Sequence, residues 1–335
     1  MKTAPNAQLG GAILRSVSRS FYLSIRILPA PVREPIALGY LLARATDTIA
    51  DTAEIDAAVR AEHLAKLADV IQSGSSPDAT LPIRDSIAPR QTNASERALI
   101  EALPQCIAWL HSIDEADRVD IQRVLSRINQ GQALDVQRFG NADRIVALQT
   151  AAELDEYTYL VAGCVGEFWT RVCFRRLPAF SQRSESEMLS LGVQYGKGLQ
   201  LINILRDVGA DLRGGRCYLP AEQLQAAGLS PEEIAARPAA IERLLQTWQA
   251  AAGEGLQAGV VYACSIRPWR VRLATALPAL IGARTLTLLR SAGGTVITNR
   301  TKVPRSEVRK ILLSTVANLA APAALRRSFD RQIGR

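Results

Sequence analysis

Residues 199 to 212 read LQLINILRDVGADL, and the fold turns on how this stretch is taken. Asn203, Asp207 and Asp211 are each four residues apart, which puts them on one face of an α-helix. Their neighbours Leu199, Leu201, Ile202, Ile204, Leu205 and Val208 are apolar on almost every side. A helix hydrophobic nearly all round belongs in an interior, and a carboxylate taken there must be paired or bound to metal. Gly209 adds to the oddity, since glycine costs about 1 kcal/mol inside a helix. The stretch predicts a buried helix carrying a like-charged stripe.

A second stripe lies upstream. Residues 44 to 52 read RATDTIADT, with Asp47 and Asp51 again four apart. Like charges at that spacing cost an isolated helix roughly 0.2–0.5 kcal/mol. A lone Asp-x-x-x-Asp is a weak signal, and a solvated pair is its ordinary explanation. Two such pairs in apolar helices, one extended by Asn203, favour a metal instead. Oxygen-only ligation suits Mg²⁺, which binds through one or two carboxylates plus substrate phosphates.

Arginines accompany both stripes. Arg44 precedes Asp47 by three residues and Arg206 adjoins Asp207. Arg19 stands in SVSRSF (16–21), Arg213 and Arg216 in RGGR, and Arg300 and Lys302 in NRTK. Arginine grips phosphate oxygens bidentately, while lysine acts as a point charge. The same arginines could serve only as salt-bridge partners of the aspartates. Acids and bases around one cavity are the arrangement expected for Mg²⁺–diphosphate.

Outward from the stripes the chain reads as helical nearly throughout. Apolar residues recur every three or four positions in IALGYLLARATDTIADT, ERALIEALPQCIAWLHSI and SEMLSLGVQYGKGLQLINILRDV, and alternating β patterns are nearly absent. Residues 73 to 94, rich in Ser and Pro, predict a connection between helices. LRGGRCYLPA (212–221) predicts a second break, and LSPEEIAARP (229–238) a helix start capped by Ser230 with Pro231 first. SAGGTVITNRTKVPR (291–305) predicts a third break before the last helix. With no repeat and no linker, one all-α domain over residues 1–335 is the economical expectation. EVRKILLSTVANLAAPAAL (307–325) is amphipathic with basic residues at both ends; it fits a helix lying on a membrane surface, although a packing helix is the plainer reading.

Bulk composition sets the remaining bounds. Of 335 residues, 48% are hydrophobic and 21% charged, a globular balance. The net charge of +8 suits an anionic partner: nucleic acid, phosphorylated ligand or membrane face. Aromatics are 5% and are not clustered with the basic residues, so nucleic acid is the least supported. Five scattered cysteines without Cys-x-x-Cys argue against a disulfide framework or zinc site and for a reducing compartment. No secretory leader follows Met1 and no run reaches about 18 apolar residues. A cytoplasmic protein, at most peripheral at a membrane, is expected.

At this point the residues resemble a family. SRSF (18–21), YLLARATDTIAD (40–51), YTYLVAGCVG (157–166) and LQLINILRDVGADLRGGRCYLP (199–220) are similar, in order and spacing, to the signature segments of the squalene and phytoene synthases. The resemblance implies an all-α isoprenoid synthase fold, a single-domain bundle with a central cavity between two aspartate-rich helices. It also implies head-to-head condensation of two prenyl diphosphates. Carried over by position, Asp47, Asp51, Asp207 and Asp211 would hold Mg²⁺, helped by Asn203. Arg19, Arg44, Arg206, Arg216 and Lys302 would grip diphosphates, with Ser18 and Tyr40 nearby. Tyr157 matches the tyrosine thought to act near the first proton transfer or to steady the carbocation. INQGQALD (128–135) resembles the segment between the motifs more weakly, with Gly131 and Asp135 as candidates. LVAGCVG suits a dry cavity wall for a carbocation, though Gly163 and Gly166 equally permit close helix packing.

Within the family, DTIAD carries Thr48 where phytoene synthases commonly show a second Asp, and both this and SRSF look more like squalene synthases. The expected function is therefore two farnesyl diphosphates to presqualene diphosphate, then to squalene with NADPH. No Gly-x-Gly-x-x-Gly follows a strand, so NADPH would bind without a Rossmann motif. The alternatives stop at presqualene diphosphate or make phytoene or dehydrosqualene without reductant. Outside the family remain a non-catalytic basic helical protein that binds membranes or prenyl diphosphates, and a metal phosphohydrolase. The latter would usually bring histidines, yet His63 and His111 lie outside both motifs.

Overall fold

The computed structural model describes residues 8–18, 21–140, 144–319 and 321–334. Helices dominate, and the strands among the described residues are the short pair Val146–Ala147 and Arg216–Cys217, which run parallel. The chain divides into two compact units, Met1–Asn141 with Arg171–Pro178, and Ala142–Thr170 with Ala179–Arg335.

In the first unit the helix Ala30–Asp51 is the centrepiece. Leu38, Leu41, Leu42, Ala45 and Ile49 are fully buried, a stripe at helical period that packs against Ala57–Ser73, Leu103–Ser112 and Glu115–Phe139. Tyr40, Arg44, Asp47 and Asp51 recur every three or four residues on another face, half-buried to exposed. Asp117, 1% exposed, accepts from both Arg175 and Arg176, while Asp120 accepts from Arg175 and Arg123. A buried carboxylate with two guanidinium partners is fully compensated, and losing one partner would strand a charge. That network holds the Arg171–Pro178 segment within the first unit.

The second unit is organised by Glu185–Arg213, whose start is fixed by a reciprocal cap between Ser184 and Glu187. It packs most extensively on Glu242–Ser265, which in turn packs on Trp269–Ala292. The stretch Trp269–Ile297 is long and apolar enough to cross a membrane, but 72% of its apolar window is buried in protein, as in a core helix. The Asn203–Asp207–Asp211 stripe departs from the sequence expectation. Asn203 is exposed and both aspartates are half-buried, while Leu201, Ile202, Ile204, Leu205, Val208 and Leu212 are buried. The helix is apolar on most sides, but the stripe takes the one face left open.

Gly209 has a packing reason. A Cβ there would come within 1.9 Å of the Ile297 carbonyl oxygen. The turn Gly293–Ile297 is thereby seated against the second-stripe helix, and the chain leaving it carries Arg300 to Asp207.

Some element boundaries differ from expectation. Residues 73–94 hold the helix Leu81–Ile87 between 3₁₀ turns, because Leu81 follows a Ser76–Pro77 start and Ile83 and Ile87 are buried. Ser230 and Glu233 do form a capping box, yet only the 3₁₀ turn Pro231–Glu233 follows; the next long helix waits until Glu242, after the turn Pro238–Ile241. ERALIEALPQCIAWLHSI is two helices parted at Ala102. The C-terminal amphipathic stretch is likewise two, Arg305–Asn318 and Pro322–Ile333, broken ahead of Pro322.

Gly209→Ala tests the close approach. Helix propensity alone would stabilise it by about 1 kcal/mol, whereas overpacking against the Ile297 carbonyl should cost about 1–3 kcal/mol. The expected result is a lower melting temperature; an equal or higher one would refute the contact.

Candidate active site

The first stripe is built from the outer face of Ala30–Asp51. Arg44 donates to Asp47 Oδ2 at 3.0 Å and to Glu96 Oε1 at 2.6 Å. Gln132, from Glu115–Phe139, donates its amide to the other Asp47 oxygen. Thus Asp47 has an arginine on one oxygen and an amide on the other, and Glu96 shares the arginine. Burial, and then the charge of Asp51, push the Asp47 carboxyl up to about 6, against the opposing pull of Arg44. The Arg44 guanidinium is held above its usual range by Asp47 and Glu96, although burial opposes them as the largest influence. Tyr40 stacks on Phe21 with centroids 5.5 Å apart and donates to the Val17 carbonyl at 3.4 Å.

Ser18, one of the expected contact residues, is buried and turns its hydroxyl back to the Leu14 carbonyl. Arg19 lies outside the described residues. Thr48 is 1% exposed and donates to the Arg44 carbonyl. Its side chain therefore belongs to the helix interior, and the first stripe offers two carboxylates only. Gly131 is buried and Asp135 half-buried on the helix that supplies Gln132.

The second stripe shows the same pattern with other partners. Asp207 accepts from Arg206 on Oδ2 and from Arg300 on Oδ1 at 3.2 Å. Arg216 approaches Asp211 at 3.5 Å, its backbone placed by the parallel pairing of Arg216 with Val146. Asn203 donates to Gln200 Oε1 at 3.2 Å. Lys302 is exposed on the chain leading from Arg300.

Tyr157 lies in the same unit, buried, with its ring stacked on Tyr218 at 4.9 Å and its hydroxyl 3.4 Å from the Tyr218 hydroxyl. One residue beyond its helix the backbone widens into a π-helix, Tyr159–Gly163, a distortion frequent at functional sites. Gly166 permits the next contact: a Cβ there would meet the Gly192 carbonyl oxygen at 2.0 Å. Lys197 and Asp155 pair across this contact.

These donors fit a hard divalent cation. The first stripe offers two carboxylates and the second two carboxylates with the Asn203 amide oxygen, half-buried to exposed, with neither histidine nor cysteine among them. Among the described residues no three Asp, Glu, His or Cys side chains converge as a ready cage. Mg²⁺ would therefore need further oxygens from water and a diphosphate, which is its habit. The four-residue spacing read from the sequence put Asp47 and Asp51 on one helical face, and Asn203, Asp207 and Asp211 on another, and both segments are helical. Sequence reasoning missed Glu96, Gln132 and Tyr218, and it noted Arg300 without carrying it into the site. Gln132 stood inside the quoted INQGQALD and Tyr218 inside RCYLP; nothing in their local pattern marks their partners.

The family profile described as Squalene/phytoene synthase matches residues 14–307. The chain belongs to the squalene/phytoene synthase family. Its members are prenyltransferases. A bifunctional lycopene cyclase/phytoene synthase of Phaeosphaeria nodorum is 28% identical over 235 residues, covering 69% of this chain and 37% of that protein. The phytoene synthase of Cereibacter sphaeroides is 29% identical over 240 residues, covering 69% and 56%. The chain thus spans between about a third and little more than half of these relatives' length. Among solved structures, a complex of TcSQS with the ligand BPH1237 superposes with a TM-score of 0.77 at 21% identity, over 99% of this chain and 98% of that one. A dehydrosqualene synthase with ligand gives 0.63 at 20%, over 95% and 97%. The fold is that of the isoprenoid synthases, as the family resemblance implied.

Asp47 supplies a pH test. Its folded-state carboxyl binds a proton more tightly than the unfolded chain does, so wild-type stability falls as pH rises from about 4 to about 6 and stays lower above. Asp47→Asn removes that charge. Without divalent metal the variant should melt higher than wild type at pH 8 and level with it near pH 4; a variant that melts lower at pH 8 would contradict the assignment.

Proposed function

We propose that the chain is a Mg²⁺-dependent head-to-head prenyltransferase that joins two farnesyl diphosphates to presqualene diphosphate and reduces this to squalene with NADPH. One observation carries the reading: Asp47, Asp207 and Asp211 each stand beside an arginine, so acid for metal and base for diphosphate come in matched pairs. Asp47, Asp51, Asp207 and Asp211, with Asn203 assisting, would hold Mg²⁺, whose chemistry is to offset charge on the departing diphosphate. Arg44, Arg206, Arg216 and Arg300 would turn from the aspartates to the diphosphate oxygens, with Arg19 and Lys302 joining them and Ser18 and Tyr40 nearby. Preorganised cations aimed at a leaving group act mainly through electrostatics.

Tyr157 is suited to the proton lost when presqualene diphosphate forms. Its hydroxyl neighbours Tyr218, so a proton could pass between them without water entering the apolar wall. Coupling two farnesyl diphosphates releases one pyrophosphate and one proton. The reductive step consumes a hydride from NADPH and releases the second pyrophosphate. The five cysteines are all buried thiols, which supports a reducing, cytoplasmic setting.

Squalene is favoured over other products by the first stripe, where Thr48 replaces a second aspartate. A second reading, phytoene formation without reductant, is favoured by the names of the sequence relatives. Incubation with Mg²⁺ and farnesyl or geranylgeranyl diphosphate, with and without NADPH, separates them. Squalene should accumulate only with farnesyl diphosphate and NADPH; a product unchanged by NADPH would overturn the squalene reading. Asp211→Asn should lower turnover by about 10²–10³-fold with little change in melting temperature.

A further inference from the structure

The helix Arg305–Asn318 has two faces. Ile311 and Thr315 are buried, whereas Arg309, Lys310, Leu313 and Val316, three or four residues apart, look outward. Leu313 is 70% exposed and Val316 49%. Leu313 and Val316 thus bury little of their surface in the fold and sit beside Arg309 and Lys310 on one face.

A third exposed apolar side chain lies at the same end of this unit. Trp269 opens the helix Trp269–Ala292 and is 58% exposed, with the Arg270 guanidinium 5.7 Å from its ring centre. Two contacts fix how the helices run. Arg284 pairs with Glu307 at 2.6 Å, and the buried Arg272 donates to the Leu319 carbonyl at 2.6 Å. The partners are twelve residues apart on either helix, so the helices are antiparallel and in register. That register brings Trp269 within about 10 Å of Val316 along the axis.

We propose that this face is a docking surface for the headgroup layer of an anionic lipid bilayer. Tryptophan is the residue that favours the boundary between water and acyl chains, and Leu313 and Val316 supply the apolar insertion. Arg270, Arg309 and Lys310 supply attraction to anionic headgroups, each contributing over about a Debye length. Charge also argues against self-association. The only acid in Arg305–Asn318 is Glu307, already engaged by Arg284, so two copies of the face would meet with like charges opposed. The amphipathic stretch noted in the sequence is thus both packing helix and surface helix, on opposite faces. The surface shares no residue with the aspartate stripes and does not rest on the proposed chemistry.

The test is sedimentation of the full chain with phosphatidylcholine vesicles, pure or containing phosphatidylglycerol. Wild type should pellet with the anionic vesicles, release at high salt, and pellet weakly with the neutral ones. Leu313→Ser with Val316→Ser should weaken binding about tenfold without lowering the melting temperature, since both side chains are exposed. Should that variant fail to fold, Arg309→Glu with Lys310→Glu reads the same surface through charge. Wild type left in the supernatant, or variants that bind as well as wild type, would overturn the proposal. A wild-type dimer that becomes monomeric in the Leu313→Ser, Val316→Ser variant would overturn it too, assigning the face to a second copy.

Discussion

A carboxylate on the flank of an apolar helix must be neutralised by something, and the structure depends on that constraint at each stripe. Asp47 is neutralised by Arg44, Asp207 by Arg206 and Arg300, and Asp211 faces Arg216. Half-buried pairs of this kind gain too little from mutual attraction to explain their own presence. They make sense as exchangeable pairs. In the proposed reaction a divalent cation takes the aspartates while the diphosphate takes the arginines, so no charge is left stranded at any stage. The raised Asp47 carboxyl belongs to the same account: one arginine does not fully offset burial and the neighbouring Asp51.

What holds these groups in place is backbone packed against backbone. Gly209 lets the Gly293–Ile297 turn lie directly on the second-stripe helix, and that contact delivers Arg300. Gly166 does the same for the segment beyond Tyr157, seating it on Gly192. A short parallel strand pair, out of character in a helical protein, aims Arg216. Each device trades helix propensity or helical continuity for the location of one candidate side chain.

Much of this was legible in the sequence, for physical reasons that can be named. A four-residue spacing projects Asp47 and Asp51, or Asp207 and Asp211, onto one face whatever the helix packs against, so both stripes emerged intact. The cost of Gly209 was legible, and the Ile297 contact supplies its cause. The openness of the second stripe was not, because apolar neighbours on most sides of a helix do not reveal which side is left uncovered. Glu96, Gln132 and Tyr218 escaped because their meaning lies in partners 52, 85 and 61 residues away. No local period records such distances. The 3₁₀ turn at Pro231–Glu233 shows the converse: a correct cap signal that tertiary packing did not extend into a helix.

The exchange of partners can be measured without turnover. Inorganic pyrophosphate titrated calorimetrically into the protein, with and without Mg²⁺, reads the coupling between metal and diphosphate directly. If aspartates hold the metal while their arginines pass to the diphosphate, pyrophosphate should bind at least about tenfold tighter with Mg²⁺, and Asp207→Asn should abolish the difference. Equal affinity with and without Mg²⁺, unaltered in that variant, would mean that the aspartates are only structural partners of their arginines.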